Sequence, residues 1–249
     1  MAKAQQQPPE IKLFDRWTFG DVQVQDQGLV PYINLTPMVV PKTNSYHHNS
    51  PFYKTKINIV ERFMMRLMVT GHKGKKHKIS TGHNTGKLLW MSNLMYEVFD
   101  ELEKKTKQNP LQVFVTAIEN SAPREEVITI ERSGARYAQA VDMAPQRRVD
   151  LVLRYLAQGA SHRAFDSSVS LKESIVGEVM DAYNLGDKSM ARNRCNEIEK
   201  MASNRKNGTR QYENRHHLYR HPIQGWNPNR CRYARNGRLH RLRLVPEDL

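Results

Sequence analysis

Residues 120–163 read Asn120-Ser-Ala-Pro-Arg-Glu-Glu-Val-Ile-Thr-Ile-Glu-Arg-Ser-Gly-Ala-Arg-Tyr-Ala-Gln-Ala-Val-Asp-Met-Ala-Pro-Gln-Arg-Arg-Val-Asp-Leu-Val-Leu-Arg-Tyr-Leu-Ala-Gln-Gly-Ala-Ser-His-Arg163. Two β-prone runs, within about Val127 to Val141, flank Ser133-Gly134-Ala135, a turn signal between strands. The pattern predicts a β-hairpin with Arg132 and Arg136 beside its turn. A helix follows from Pro145, with Pro at its first position. It is apolar on one face through Val149, Val152, Leu153, Leu156 and Ala160. A two-stranded ribbon cannot bury its own flanks, so a basic one reaches for a partner. In a chain this basic, the partner expected is nucleic acid.

The residues around this stretch read as helices. Ile59, Val60, Phe63, Met64, Leu67 and Met68 form one stripe over about Asn58–Thr70. A second helix is expected over about Thr85–Lys105, with Leu88, Met91, Leu94, Met95, Val98, Phe99 and Leu102 inward. Asn109-Pro110 opens a third, whose face is Leu111, Phe114, Val115 and Ile118. The fourth spans about Pro145–Ser161. Ser170-Leu-Lys-Glu173 is a capping box that begins a fifth, ending near Gly186. A sixth covers about Lys188–Ser203. The fold class is mainly α: a six-helix, bundle-like domain with a protruding β-hairpin arm, an extended N-terminal arm and a basic C-terminal tail.

Charge narrows the class of partner. The chain carries 39 Lys and Arg against 25 Asp and Glu, for a net +14 and a pI near 9.8. Such a surface favours polyanions. Residues 206–249 hold half of that charge and almost no apolar period. They are expected to be disordered without RNA, with Arg230, Arg232, Arg235 and Arg238 as contacts. Residues 1–55 are expected to be a largely irregular extension, broken by Pro31, Pro37, Pro41 and Pro51. Its stretch from 11 to 55 reads either as an arm laid along RNA or as an ordinary surface loop. Residues 56–205 form the folded domain. Cys195 and Cys231 are too few for a disulfide framework. No apolar run approaches the ~18 residues that span a bilayer, and the start lacks a signal peptide's apolar segment. No membrane partner and a cytoplasmic location are expected.

Catalytic motifs fail on inspection. Gly82-His-Asn-Thr-Gly86-Lys87 resembles a phosphate loop, but three residues separate the glycines where four are needed, and Leu88 follows the lysine. His72, His77 and His83, like His216, His217, His221 and Cys231, lack metal-site spacing. Cys195 sits on a core-facing helix stripe. Glu125 and Glu126 are adjacent strand residues and face opposite ways. The expectation is no enzyme, no metal and no cofactor. What remains is a binding inventory. Lys73, Lys75, Lys76 and Lys78 form a phosphate clamp in a glycine-rich loop. Arg147 and Arg148 sit at a helix start, where free N–H groups favour anions. Tyr137 is placed to stack on a base. The competing reading is that these charges only solubilise the surface.

Several short stretches then converge on one family. They are Asn58-Ile-Val-Glu-Arg62, Gly74-Lys-Lys-His-Lys78 with Gly82-His-Asn-Thr-Gly-Lys87, and Glu103-Lys-Lys-Thr106 with Asn109-Pro-Leu-Gln-Val113. Ala122-Pro-Arg-Glu-Glu126, Ala140-Val-Asp-Met-Ala-Pro-Gln-Arg-Arg-Val149 and Ala202-Ser-Asn-Arg205 complete the set. In this order and spacing, residues 57–205 resemble the universal small-subunit ribosomal protein seven family, in its archaeal and eukaryotic branch. The arm from Ile11 to Pro51 resembles that branch's N-terminal extension more loosely. The resemblance implies a six-helix protein with a β-ribbon. It implies a primary binder of the 3′ major domain of small-subunit rRNA that nucleates head assembly. Its ribbon and C-terminal helix would lie near E-site tRNA and the mRNA exit, among neighbouring head and platform ribosomal proteins.

Carried onto this chain, the rRNA-facing positions are Lys54, Lys56, Lys73, Lys75, Lys76, Lys78, Lys87, Arg147 and Arg148. Arg132, Arg136 and Tyr137 fall on the ribbon that faces tRNA and rRNA. The family generally ends near a Ser-Asn-Arg like 203–205, so the tail departs from it. That tail reads either as an arm threading rRNA or as read-through sequence. The alternative function is a non-ribosomal RNA-binding regulator on the same scaffold.

Overall fold

A computed structural model of the chain describes residues 11–43, 46, 48–69, 84–132 and 134–218, of which Arg132 and 207–218 are described in their backbone path alone. Its elements are α1 (Ile59–Met68), α2 (Leu88–Thr106), α3 (Pro110–Asn120), β1 (Glu125–Arg132), β2 (Ala135–Asp142), α4 (Pro145–Ala164), α5 (Leu171–Tyr183) and α6 (Met190–Leu218). Short 3-10 turns occupy Val30–Tyr32 and Tyr53–Lys56. The architecture is the expected one: mainly helical, with one antiparallel hairpin between the third and fourth helices.

Side-chain caps set several boundaries. The Asn58 carboxamide oxygen accepts from the Val60 N–H at 3.0 Å, Asn109 does the same for Leu111 at 3.1 Å, and Ser170 Oγ accepts from Glu173 at 3.2 Å. Each satisfies an N–H that the first turn leaves without a helical partner. α5 is the hub and packs against α2, α3 and α4, while α1 packs against α2 and α4. Phe63, Phe99 and Phe114 meet at the centre, with ring centroids 5.2 and 6.1 Å apart.

The α4–α5 contact is closed by a glycine. A Cβ on Gly159 of α4 would lie 2.6 Å from the Glu178 carboxyl carbon. Glu178 is itself pinned. Its Oε1 accepts from Ser189 Oγ at 2.9 Å and from the Ala191 N–H at 3.2 Å, and its Oε2 lies 3.0 Å from Arg163. One buried carboxylate thus joins α4, α5 and the start of α6.

Two features differ from the sequence-based expectation. First, the segment before α1 is irregular, yet it belongs to the core. Leu13, Trp17, Phe19, Leu29 and Ile33 are buried with the helical side chains. Trp17 packs edge-on to Phe99 at 5.6 Å and donates from Nε1 to Glu103 at 3.1 Å. Side chains of α3 supply partners that a sheet would otherwise provide. The Gln23 N–H donates to Gln112 Oε1, and the Gln25 and Asp26 N–H groups donate to Glu119 Oε1, at 2.7–3.0 Å. Aperiodic apolar residues carry no helix or strand signal, which is why the segment reads as a loose arm. Second, α6 runs to Leu218, past the expected end near Ser203 and into the segment expected to be disordered without RNA. The sequence there carries no apolar period, and a helix needs none to continue once nucleated. The chain divides into a unit through Gly208 and a second unit from Thr209.

Candidate nucleic-acid interface

No described residue of either hairpin strand is buried. The hairpin register runs from Glu125 opposite Asp142 to Arg132 opposite Ala135, so the strands are joined by Ser133 and Gly134. Gly134 has φ +78°, a left-handed conformation that a Cβ disfavours. The expected turn was one residue longer. Toward the tip, Tyr137 keeps 58% of its surface open to solvent. Arg136 pairs with Glu131 at 3.5 Å, both side chains mostly exposed. Such a surface pair contributes about 0–1 kcal/mol, so an incoming phosphate can displace it. Arg132 lies on the strand next to the turn.

Ion pairs and a backbone hydrogen bond link the base of the ribbon to α4 and α6. Arg147, in the first turn of α4, donates to both oxygens of Glu126, from Nε at 2.9 and 3.0 Å and from a terminal nitrogen at 2.8 Å. On the neighbouring residue, Lys206 of α6 reaches Glu125 at 2.5 Å. The Glu199 carboxylate accepts from the Arg124 N–H at 3.0 Å. The two adjacent glutamates face opposite ways, as strand residues do, and each is gripped by a different helix. Carboxylates that offered no acid–base chemistry in the sequence therefore serve as anchors.

Arg148 requires a correction. It was expected beside Arg147 as an rRNA-facing position at the start of the helix, but its exposure is 8%. Its Nε donates to the Pro123 carbonyl at 3.1 Å, and a terminal nitrogen donates to Asp26 at 2.8 Å. Burial works against ionisation of Asp26, but its bonds from Arg148 and from the Gly28 N–H outweigh that and hold its carboxyl below the usual carboxylate range. The side chain ties the irregular N-terminal segment to the start of the hairpin and is not presented to solvent. Successive residues on a helix are separated by about 100°, enough to turn one arginine outward and its neighbour in.

Lys54 also has an internal partner, Asp150 at 2.8 Å. Arg62 and Arg66 approach the same carboxylate at 3.2 and 3.7 Å. This cluster was not foreseen, because Asp150 lies on α4 far along the chain from α1. Lys56 is exposed and meets Ser50 Oγ at 3.4 Å. Lys87 is exposed at the start of α2. The expected clamp of Lys73, Lys75, Lys76 and Lys78, and the tail contacts Arg230, Arg232, Arg235 and Arg238, lie outside the described residues.

Nucleophilic chemistry finds no support at Cys195. It is buried, and desolvation, reinforced by Glu199, pushes its thiol up to about 11, so the thiolate is scarce at neutral pH. Among the described residues no group of three or more His, Cys, Asp and Glu is arranged to hold a metal. No described helix is long and apolar enough to cross a membrane.

A helical body with an exposed ribbon tip bearing Arg136 and Tyr137, and no catalytic constellation among the described residues, has the form of a binding protein. The chain belongs to the ribosomal protein S7p/S5e family, whose model matches residues 30–206. It is 50% identical over 193 residues to the small ribosomal subunit protein uS7 of Nanoarchaeum equitans (strain Kin4-M), covering 78% of this chain and 98% of that one. With the uS7 of Archaeoglobus fulgidus it shares 39% identity over 193 residues, 78% of this chain and 94% of the relative. As a member of this family the chain is a structural ribosomal protein and not an enzyme. Residues 207–249 lie beyond the family match.

Proposed function

We propose that the chain binds the 3′ major domain of small-subunit rRNA and nucleates assembly of the subunit head. The hairpin faces the E-site tRNA and the mRNA exit channel. Ribosomal proteins of the head and platform are its neighbours. The observation that carries this reading is the solvent-exposed tip of the ribbon, where Arg136 and Tyr137 stand clear of the body on strands whose base is fixed by Arg147 and Lys206. A fixed base with an open cationic and aromatic tip suits phosphate contact and stacking on unpaired bases.

In the same reading, Lys73, Lys75, Lys76 and Lys78 clamp phosphates, with Lys56 and Lys87 as further contacts. Arg147 acts mainly on Glu126, and Arg148 acts on the fold. Tail arginines Arg230, Arg232, Arg235 and Arg238 add phosphate contacts. The test is binding of the full chain to a head-domain transcript across a salt series. Six to ten phosphate contacts cost about 10³–10⁵ in affinity between roughly 50 and 200 mM salt. Replacing Lys73, Lys75, Lys76 and Lys78 with Gln should flatten the slope. Absence of binding at low ionic strength, or binding indifferent to salt, overturns the reading.

A further inference from the structure

Between the 3-10 turn at Tyr53–Lys56, α1 and α4 lies a cavity of about 320 Å³. Arg62, 4% exposed, and Asp150 lie deep in it. Lys54 and Arg66, about one-third exposed, stand at its mouth. Tyr53 and Met65 contribute half-buried, largely apolar surface. The volume falls at the small end of ligand pockets, which run from roughly 300 to 1,000 Å³.

The charge in this cavity is unbalanced. Three cations converge on one carboxylate, leaving a local excess of two positive charges. The Arg66 contact, at 3.7 Å, is too long for a hydrogen bond. The deep part is already satisfied: Arg62 donates to the Tyr32 carbonyl at 2.8 Å as well as to Asp150. The excess charge therefore reaches solvent at the mouth, through Arg66 and beside it Lys54, whose ammonium also donates to Asp150 at 2.8 Å and can share a donor with a phosphate. Beside it the Tyr53 ring is braced by His48, with centroids 5.0 Å apart. Two cations for a phosphate, next to a braced aromatic face and an apolar recess, match the parts of one nucleotide.

We infer that this cavity is a site for a single unstacked nucleotide of the bound RNA, its phosphate on Lys54 and Arg66 and its base against Tyr53 and Met65. A base held in a duplex cannot enter a recess of this size, so the nucleotide is a bulged or otherwise extrahelical one. The inference rests on the RNA-binding reading above and adds to it where on the body one base is read out. A free nucleotide offers the same chemistry, and the experiment separates the two sources.

The assay uses the full chain with ¹³C-methyl methionine, the Met65 signal being assigned through Met65→Leu. The probes are a short RNA hairpin with one bulged nucleotide, its fully paired counterpart, the same hairpin with an abasic bulge, a nucleoside monophosphate and inorganic phosphate. The bulged hairpin should shift the Met65 methyl and bind roughly tenfold tighter than the abasic one, the worth of one base stacked on an aromatic ring. Tyr53→Ala should abolish that preference and leave the paired hairpin's affinity unchanged. Arg66→Gln should weaken the bulged hairpin more than the paired one.

Equal binding of bulged, abasic and paired hairpins, with Met65 unmoved, overturns the site and leaves RNA binding standing. If no hairpin or head-domain transcript binds at low salt, both fall. A Met65 shift from the free monophosphate without bulge preference reassigns the cavity to soluble nucleotides. The same shift from inorganic phosphate alone removes the base from the proposal.

Discussion

Arg148 separates the roles of two adjacent arginines, and its replacement by Ala gives the sharpest test. The side chain is 9% exposed and its partner Asp26 27%. Truncation removes the 2.8 Å bond to Asp26 and the 3.1 Å bond to the Pro123 carbonyl together. Breaking a buried pair by deleting one member costs about 3–5 kcal/mol, because the other charge stays behind unpaired. Asp26 keeps some contact with water, which favours the lower end, about 3 kcal/mol. For a body of this size each kcal/mol lowers Tm by about 2–4 °C, so the expected drop is about 6–12 °C. Arg147→Ala is the control. That guanidinium is 56% exposed, and loss of an exposed pair costs about 0–1 kcal/mol.

Thermal and urea unfolding of the full chain, followed by circular dichroism, measures both variants. Asp26→Asn alone and combined with Arg148→Ala closes a double-mutant cycle, which should return a coupling well above the ~0.3–0.5 kcal/mol scatter of independent sites. If Arg148→Ala unfolds at the same temperature as Arg147→Ala, or the cycle shows no coupling, Arg148 is not the internal tie described above. Its sequence-based assignment as an rRNA contact would then regain its force.

Three further outcomes follow from the packing. Trp17→Ala should destabilise the body by about 3–5 kcal/mol in urea titrations, the usual cost of emptying a buried aromatic site; a loss below ~1 kcal/mol would show that the N-terminal segment is a detachable arm after all. Gly159→Ala should destabilise by about 1–3 kcal/mol even though Ala is the better helix former by ~1 kcal/mol, because the new methyl meets a carboxylate pinned by Ser189, Ala191 and Arg163; an unchanged or raised Tm contradicts this. Burial works against the Asp150 carboxylate, but its bond from Lys54 and the charges of Arg62 and Lys54 outweigh burial and lower its pKa. Its contribution is therefore present above the ordinary carboxylate range near pH 4 and is lost as pH falls through the depressed folded value. The stability difference between the parent chain and Asp150→Asn should shrink on acidification over that window, and parallel pH profiles refute the pairing.

The helices and the hairpin were legible because each carries a period. Leu111, Phe114, Val115 and Ile118 repeat on one helical face, and Ser133-Gly134 sits between two β-prone runs. Leu13, Trp17 and Phe19 repeat on no such period. They are buried by fitting side chains of α2 and α3, and no local rule reports a fit made across about 80 residues of chain. Charged positions were legible as charges but not as contacts. Arg147 and Arg148 look alike in sequence, and only the packing of Asp26 and Glu126 around α4 distinguishes them. Asp150 escaped notice for the same reason: its three cations come from the turn at Tyr53–Lys56 and from α1.

A net charge of +14 overstates what the body offers to a polyanion. Residues 70–83 contribute +4 and residues 207–249 contribute +6, leaving +4 for the rest of the chain. Within that remainder, Arg16, Arg62, Arg147, Arg148, Arg163 and Lys172 are among the cations already facing carboxylates. The ribbon from Glu125 to Asp142 carries four carboxylates against two arginines, and Glu126 and Glu125 at its base are occupied by Arg147 and Lys206. Counterion release scales with phosphates actually neutralised. Cations held against partners in the body contribute to it only by giving those partners up. In the RNA-binding reading proposed above, the nearly neutral helical platform would set position and orientation. On that reading, neutralisation falls to the lysine-rich segment, the exposed ribbon tip, the mouth of the Tyr53 cavity and the arginines beyond the family match. Removing Lys73, Lys75, Lys76 and Lys78 should accordingly lower the salt slope without lowering Tm, whereas removing Arg148 should lower Tm without changing the slope. If the two variants exchanged these effects, the division between a neutral platform and cationic contacts would not hold.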